Sequence, residues 1–427
     1  MESPLFIVVA LCILVFGLGS RRAERSILTP PIFFVVAGLL ATLSGVAHFD
    51  VDEHAVHTLA EITLVLVLFT DASRIRLDLL RQSRGLPTRL LLVGLPLTVV
   101  LGTVAALGLF PTFTFWEAAL LATVLAPTDA ALGQAVVSSP KVPVRIRQAL
   151  NVESGLNDGI ALPLVLVFLS TCASAVEGLG GAEYWLRFAA LQVTLGPLVG
   201  WLVGRFGTRI IESARTREWM NDTFQHLSSI GLALLAFAAA GLVQGNGFIA
   251  AFVAGLVLGN TASEELNEQL SEFAEAEGQL LTLLVFLVFG ATMVPEVLHL
   301  GAAPWIYGLL SLTVVRMVPV ALSLIGAGVR PQTVLFLGWF GPRGIASILF
   351  GLLVIEASGL VNRHEVFAVV ITTVLLSVVA HGVTAYPGAG WYSRQLGEAD
   401  EDETMAEHHE VPEMRVRIRH EDVPTDA

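Results

Sequence analysis

The residues of this chain that could do chemistry are ionisable side chains inside long apolar runs. Asp129 lies in one such run, and the next contains the string NVESGLNDG at 151–159, which includes Asp158. Arg316 and Arg343 lie in two later runs. Ionisable side chains within apolar spans of a membrane are costly and are usually functional. These few charges are therefore the candidates for an ion or proton site.

Helical spacing places the polar residues of the second run on one side of a helix. Asn151, Ser154 and Asp158 stand at positions i, i+3 and i+7, and Glu153 and Asn157 form an adjacent stripe. Carboxylate, hydroxyl and amide oxygens are suitable ligands for a small, hard cation. The alternative is a polar contact between helices, since Ser and Asn side chains bridge helices within membranes.

Prolines next to charged residues predict two interrupted helices. Thr128 and Asp129 follow Pro127, and Pro342 stands between two glycines just before Arg343. Proline removes a backbone donor, and interrupted helices at corresponding places in two halves of a chain indicate a transporter's binding site. The N-terminus of a half-helix is positive and its C-terminus negative, so Asp129 and Arg343 are predicted to neutralise opposed helix ends. An ordinary kink is the alternative at Pro127.

The composition indicates that these residues lie in membrane-spanning helices. Apolar residues make up 54% of the chain, charged residues only 14%, and the mean hydropathy is +0.74, whereas soluble domains are about a quarter charged. The apolar runs are long enough to cross a hydrocarbon core of about 30 Å, and they lack the alternation of barrel strands. The sequence predicts an all-α polytopic membrane protein with about 13 spans. These begin near Pro4, Ile27, Thr58, Pro87, Trp116, Val144, Tyr184, Gln225, Phe248, Gly278, Pro304, Gln332 and Glu365.

The loops predict an orientation in the membrane. Arginines cluster after the first, third, fifth and seventh spans, whereas the loop at 50–53 is acidic. By the positive-inside rule, the N-terminus lies outside and the C-terminus in the cytoplasm. The glutamates of 263–277 are interpreted as a solvated helix face or, alternatively, as a negative funnel that concentrates cations. Cys12 and Cys172 are too few and too far apart to indicate a disulfide framework or a metal site.

The Thr128-Asp129 pair, the string ESGLND at 153–158, Arg316 in the eleventh span and GPRG at 341–344 resemble the monovalent cation:proton antiporter-1 family of Na⁺/H⁺ exchangers. The resemblance implies two inverted six-helix repeats in which helices 5 and 12 are discontinuous and cross. Its implied parts are a transmembrane antiporter domain (1–390) with an ion-binding core (85–172 and 302–386), a dimerisation scaffold (1–80 and 222–298) and a linker helix (184–211), followed by an acidic, disordered cytoplasmic tail (391–427).

The resemblance also implies roles for the polar residues of the fifth and sixth spans. Asp158 is the principal carboxylate, which binds either Na⁺ or H⁺. Asp129 assists it, and Ser154 and the Thr128 carbonyl complete the set of Na⁺ ligands. Asn157 supports the crossed half-helices. It stands where electrogenic relatives carry a second acid, and this favours electroneutral exchange of one cation for one proton.

Other charged residues receive structural roles. The resemblance assigns Glu153 to a buried ion pair with Arg316, with Arg343 as the alternative partner. Lys141 is the only lysine and lies in a loop, so the membrane lysine of electrogenic relatives is absent. Asp71 ends an apolar run and is interpreted either as a third acid near the cytoplasmic mouth or as the start of the basic loop that follows.

Together these features predict a secondary active transporter rather than an enzyme. An unpaired carboxylate in a closed membrane core is costly, whereas its protonated or Na⁺-bound form is neutralised, so alternating access would occur only when the site is loaded. The prediction is Na⁺/H⁺ antiport by a homodimer in the cell membrane, with no cofactor beyond the transported Na⁺ or K⁺ and H⁺ and no nucleic-acid partner. K⁺/H⁺ antiport by the same fold is the alternative, and a cation channel or an intramembrane aspartyl enzyme is more remote.

Overall fold

The computed structural model is all-helical over the part of the chain that it describes, which confirms the predicted fold class. The described residues are 3–23, 26–45, 53–77, 85–130, 132–177, 182–357, 360–397 and 407. The helices are α1 Ser3–Ala23, α2 Pro30–Leu43, α3 Glu53–Ser73, α4 Leu86–Leu109, α5 Phe115–Val124, α6 Gln134–Val137, α7 Val144–Glu177, α8 Ala182–Thr216, α9 Asp222–Leu242, α10 Gly247–Thr261, α11 Glu264–Val288 with its continuation Val294–Val297, α12 Ala302–Leu312, α13 Val314–Ser323, α14 Pro331–Trp339, α15 Ile345–Glu356 and α16 Arg363–Gly397.

Several helices are suited to a bilayer. Within the described residues, six helical segments are long and apolar enough to cross a membrane. They lie in α4, α7, α9, α11, the α12–α13 pair and α16. Large apolar side chains such as Leu14, Leu92 and Leu242 are exposed on the outside of the protein. Apolar side chains are expected to face outward where the surrounding solvent is hydrocarbon.

The helices pack in two groups. One contains α2, α3, α8, α9, α10 and α11, and the other contains α4 to α7 and α12 to α16. The two groups touch through α7, α15 and α16 of the second group. Glycine allows the closest approach in the first group. A Cβ at Gly255 or Gly259 of α10 would overlap the backbone of α3 at Phe69 or Ser73. Small residues at such contacts let two membrane helices pack backbone to backbone.

One turn of α11 widens before a proline. Residues Phe289–Met293 form a π turn, and Pro295 follows. Proline has no N–H to give to the carbonyl four residues earlier, and its ring crowds that carbonyl, so the local turn opens. The carbonyl four residues before Pro295 belongs to Ala291, and Thr42 Oγ1 of α2 donates to it at 2.9 Å. This contact joins α2 to α11.

The predicted fifth and twelfth spans are both broken. The fifth consists of α5 and the short α6, and the described residues between them are not helical. The twelfth consists of α14 and α15, separated by the GPRG segment at 341–344. A further break, which the sequence pattern does not indicate, occurs at Thr313 between α12 and α13. The amide of Arg316 donates to the Thr313 carbonyl at 3.2 Å, so a new helix starts there.

The last helix is longer than the sequence pattern indicates. α16 runs to Gly397, so the expected start of a disordered tail at residue 391 is corrected. Its final turns are held by packing, because Tyr392 is fully buried and stacks on Phe336 of α14 with ring centroids 4.2 Å apart. Apart from Glu407, the rest of the predicted tail, 398–427, lies outside the described residues.

Glu407 itself is bound at the start of α14. Its side chain is almost fully buried, and its Oε1 accepts hydrogen bonds from the Arg330 backbone N–H at 2.8 Å and from the Thr333 hydroxyl. The first N–H groups of a helix have no partner within the helix, and a negative charge is favourable there. One acidic residue of the tail therefore caps the first half of the twelfth span.

Candidate cation and proton site

The polar stripe predicted for the sixth span lies on α7 and is buried. Asp158 is 7% exposed, and Glu153, Ser154 and Asn157 are also buried. Asn151, one turn earlier, is half-buried. Burial of a carboxylate, a hydroxyl and an amide on one face of a membrane helix requires polar partners on the neighbouring element. That element is the unwound segment between α5 and α6.

Two side chains of α7 bind this unwound segment. The hydroxyl of Ser154 donates to the Thr128 carbonyl at 2.8 Å and accepts from the Ala130 N–H, also at 2.8 Å. The side-chain amide of Asn157 donates to Thr128 Oγ1 at 2.7 Å. Backbone groups that leave a helix inside a membrane must find partners within the protein. The structure thus brings together three of the predicted site residues, and Ser154 and Asn157 supply the missing partners.

Asp129 lies between the two broken spans. Its carboxylate Oδ2 accepts from the Ile345 N–H at the start of α15, at 3.0 Å, and its own N–H donates to the Pro342 carbonyl at 2.8 Å. A Cβ at Gly344 would overlap the Asp129 carboxylate, so this approach requires glycine. A negative charge at the N-terminus of a helix is stabilised by the helix dipole. Asp129 therefore caps the second half of the twelfth span.

Arg343 has the converse position at the end of α5. Its side chain is fully buried, and Nη1 donates to the carbonyls of Ala126 and Pro127 at 2.9 and 3.2 Å. Carbonyls at the C-terminus of a helix lack partners and carry partial negative charge. The two charges lie at the opposed helix ends, as the prolines and charges of the two spans predict. Each break supplies the charge that neutralises the other.

The buried partner of Glu153 is Arg316. Both side chains are at most 3% exposed, and the guanidinium donates to both carboxylate oxygens, with Nη2 2.8 Å from Oε2. A planar guanidinium and a carboxylate form strong paired hydrogen bonds of this kind. A Cβ at Gly341 would overlap the Arg316 guanidinium. The ion pair therefore joins α7 to α13 directly beside the break of the twelfth span.

A small pocket opens at the crossing. Its oxygen-bearing lining residues are Thr128, Asp129 and Ser154, and its apolar wall includes Leu150 and Phe340. It has room for about one water-sized molecule or ion. Three of the four residues predicted as Na⁺ ligands thus line one cavity. Asp158, the fourth, lies one turn further along α7 and is not part of this lining.

Asp71 lies at the end of α3, beside α7. Its carboxylate is 3.9 Å from the guanidinium of Arg74, and its side chain is 14% exposed. Its backbone carbonyl would lie 3.9 Å from a Cβ at Gly155, the residue after Ser154. The structure therefore places Asp71 near the polar helix, with an ion-pair partner from its own turn.

Ser377 and His381 of α16 lie beside the candidate site, and the sequence pattern did not single them out. Both are fully buried, and they contact the break of the twelfth span through Arg343 and Trp339. Their only signal in the sequence is a serine and a histidine one helical turn apart in an otherwise apolar run. In a membrane span, such a pair is itself unusual.

The whole membrane part of the chain matches a known family. Residues 7–388 match the family described as "Sodium/hydrogen exchanger, transmembrane". The chain belongs to the sodium/hydrogen exchanger family. The K(+)/H(+) antiporter NhaP of Alkalimonas amylolytica is 28% identical to this chain over 384 residues, which cover 88% of this chain and 64% of that protein. The Na(+)/H(+) antiporter 2 of Zygosaccharomyces rouxii is 28% identical over 260 residues, covering 56% of this chain and 31% of that protein.

The chain spans less than two thirds of the length of these relatives. Among solved structures, the chain resembles the sodium proton antiporter MjNhaP1 from Methanocaldococcus jannaschii at pH 8, with a TM-score of 0.73 and 17% sequence identity. The match covers 92% of this chain and 97% of that one. At this identity, the similarity establishes a shared fold for the two proteins.

Proposed function

We propose that this chain exchanges a monovalent cation for a proton across the cell membrane, and that Asp158 is the carboxylate that binds one or the other. Membership of the sodium/hydrogen exchanger family supports the activity. The observation that carries the choice of site is the crossing of two broken spans, where buried Asp129 and Ser154 line a pocket one turn from Asp158. Broken helices of this kind form the binding sites of many transporters.

The division of labour between the two aspartates follows from their contacts. One carboxylate oxygen of Asp129 accepts from the Ile345 N–H, so this charge already serves the start of α15. We therefore assign Asp129 an assisting role and Asp158 the exchange of ion for proton. The Ser154 hydroxyl and the Thr128 carbonyl complete the set of oxygen ligands. An ionised Asp158 with neither ligand is costly in the closed protein, and this favours movement of the loaded forms only.

The contacts of the crossing support a moving unit. The Glu153–Arg316 pair and the bonds of Arg343 to Ala126 and Pro127 all lie within one of the two groups of helices. We propose that this group (85–172 and 302–386) moves as the ion-binding core of an alternating-access transporter. The proposed partners of that motion are the dimerisation scaffold (1–80 and 222–298) and the linker helix (184–211) of a homodimer, arranged as inverted repeats with the N-terminus outside and the C-terminus in the cytoplasm.

We propose Na⁺ as the cation, with one proton moved for each ion. The side chain of Asn157 donates to Thr128 Oγ1, so it supports the unwound segment and carries no exchangeable charge. The K(+)/H(+) antiporter among the relatives makes K⁺ the second candidate for the same site. Asp71 is paired with Arg74, and we assign it to the start of the basic loop rather than to the ligand set.

The test uses the purified chain in proteoliposomes that contain a pH-sensitive dye. Na⁺, K⁺ or Li⁺ is added outside, and proton flux is recorded for the wild type and for Asp158→Asn. The variant is expected to abolish cation-driven flux, because a neutral amide cannot trade a proton for a cation. Glu296→Gln, an acid-to-amide change at an exposed position of α11, is the matched control. Substantial proton flux through folded Asp158→Asn would overturn the assignment. Proton flux in the wild type on addition of K⁺ but not of Na⁺ would identify K⁺ as the transported cation.

A further inference from the structure

His381 and Ser377 of α16 are buried polar residues that the proposed exchange does not use. A fully buried imidazole or hydroxyl is costly unless its polar atoms find partners. Here the partners belong to the break between α14 and α15, one on each side. The side chains of His381 and Ser377 are therefore placed to hold the two ends of this break together.

His381 binds the end of α14. Its Nε2 lies 2.8 Å from the carbonyl oxygen of Trp339, the last residue of that helix. A carbonyl can only accept, so Nε2 carries a proton and donates it. The Trp339 ring stacks on the imidazole with centroids 5.1 Å apart, and its Nε1 donates to Thr384 Oγ1 at 2.9 Å. α16 thus holds both the carbonyl and the ring of the residue that ends α14.

Ser377 binds the other side of the break. Its hydroxyl oxygen accepts from the Arg343 N–H at 2.7 Å and lies 3.2 Å from His381 Nδ1. With a neutral ring, Nδ1 accepts the Ser377 hydroxyl proton. The hydrogen bonds then run in one direction from Arg343 through Ser377 and His381 to Trp339. A doubly protonated ring would instead donate to the Ser377 carbonyl at 3.0 Å, but burial opposes this additional charge.

We propose that His381, together with Ser377, is a positioning residue for cation binding: its neutral ring fixes the break of the twelfth span. The backbone of Arg343 is held by Ser377, and its side chain binds the end of α5. Gly344, the next residue, lies against the Asp129 carboxylate. Fixing this break therefore sets Asp129 relative to the pocket. The proposal rests on the proposed function of that pocket.

The test compares three substitutions in the full chain. His381→Leu removes the donor to Trp339, Ser377→Ala removes the acceptor for the Arg343 N–H, and His381→Gln keeps a side-chain N–H without a titrating ring. Thr372→Val is the matched control, since the Thr372 hydroxyl is buried on the same helix and, among the described residues, bonds only to the Ala368 carbonyl of its own helix. Each protein is measured for its half-saturating Na⁺ or K⁺ concentration, maximal rate and pH profile in proteoliposomes. Hydrogen exchange of the peptide that covers 340–346 reports on the break itself.

His381→Leu and Ser377→Ala are expected to raise the half-saturating cation concentration about tenfold, as the loss of one buried hydrogen bond predicts. The maximal rate should change less, and amides in 340–346 should exchange faster. His381→Gln should restore most of the affinity with an unchanged pH profile, and Thr372→Val should behave like the wild type. Should His381→Leu fail to fold, the smaller Ser377→Ala change decides the question.

Three results would overturn the proposal. The first is an unchanged half-saturating concentration in folded His381→Leu or Ser377→Ala, and the second is faster exchange in 340–346 with no change in cation affinity. The third is a flattened pH profile in His381→Gln, which would make the ring a titrating group. Failure of the proposed function is distinguished by Asp158→Asn: if that variant still transports, the site is wrong, while hydrogen exchange still reports whether His381 holds the break. Absence of cation-driven proton transport in the wild type would overturn both proposals.

Discussion

The two broken spans are capped differently at their N-terminal ends, whereas at the crossing each stabilises the other. α5 begins with a local capping box, in which Thr114 and Glu117 bond to each other's backbone N–H groups. α14 begins with a cap from Glu407, far along the chain. At the crossing, Arg343 serves the end of α5 and Asp129 serves the start of α15. Displacing one break therefore leaves a buried charge at the other without its partner.

The breaks also differ in what lies beside them. The first is held by Ser154 and Asn157 of α7, the helix that carries Asp158. The second is held by Ser377 and His381 of α16, which carry no carboxylate. The first break thus contributes oxygen atoms to the pocket, whereas the second contributes a fixed frame of charge and hydrogen bonds. Substitutions at the first should change ion binding directly, and substitutions at the second should act through geometry.

The largest expected effect on stability comes from the ion pair beside the second break. Glu153→Ala and Arg316→Ala should each lower the free energy of unfolding by about 3–5 kcal/mol, because each leaves an uncompensated buried charge. The double variant should recover part of this loss. Thermal unfolding in detergent measures all three proteins. Strictly additive losses would mean that the two side chains do not stabilise the protein as a pair.

Asp129 and Glu117 offer a direct comparison between the crossing and an outer helix end, since both are acids at a helix N-terminus. Asp129→Asn should weaken cation binding and also remove up to about 2 kcal/mol of favourable charge at the start of α15. Glu117→Gln should cost about 1 kcal/mol through the weakened cap and leave the half-saturating cation concentration unchanged. Proteoliposome flux and thermal unfolding separate the two effects. Equal changes in cation affinity for both variants would remove any special role for Asp129.

The sequence predicts the two helix breaks and their charged residues better than it predicts the side chains that bind those breaks. Both breaks and their opposed charges are predicted from Pro127, Pro342, Asp129 and Arg343. Proline interrupts a membrane helix, and a charged residue within a span is costly and needs a partner. Other features depend on the packing of distant segments. The bond of Arg343 N–H to Ser377 exists only because α16 packs beside the break. The sequence likewise carries no local sign of the burial of Glu407 at α14.

A smaller effect is expected at the start of α14, the first half of the twelfth span. Glu407→Gln keeps an oxygen that can accept from the Arg330 N–H and the Thr333 hydroxyl but removes the charge, so the expected loss is about 0.3–1 kcal/mol. Hydrogen exchange of amides at the start of α14 should increase slightly, with the pocket unaffected. Glu296→Gln serves again as the exposed control. A change in cation affinity would show that the tail acts on the crossing rather than on one helix end.

The smallest expected effect is that of voltage, and it tests the role of Asn157 at the first break. If Asn157 only supports Thr128, a single carboxylate changes state in each cycle, and one cation moves against one proton with no net charge. A membrane potential supplies about 2.3 kcal/mol per net charge per 100 mV, so an exchanger of unequal charges would respond strongly. Potentials of either sign are set with K⁺ and valinomycin, and the Na⁺ gradient that stops proton flux is recorded. A balance point that stays where the Na⁺ and H⁺ gradients are equal supports Asp158 as the sole exchanging group. One that shifts with voltage requires a second titrating residue, and Asp129 would then have to release its proton while still capping α15.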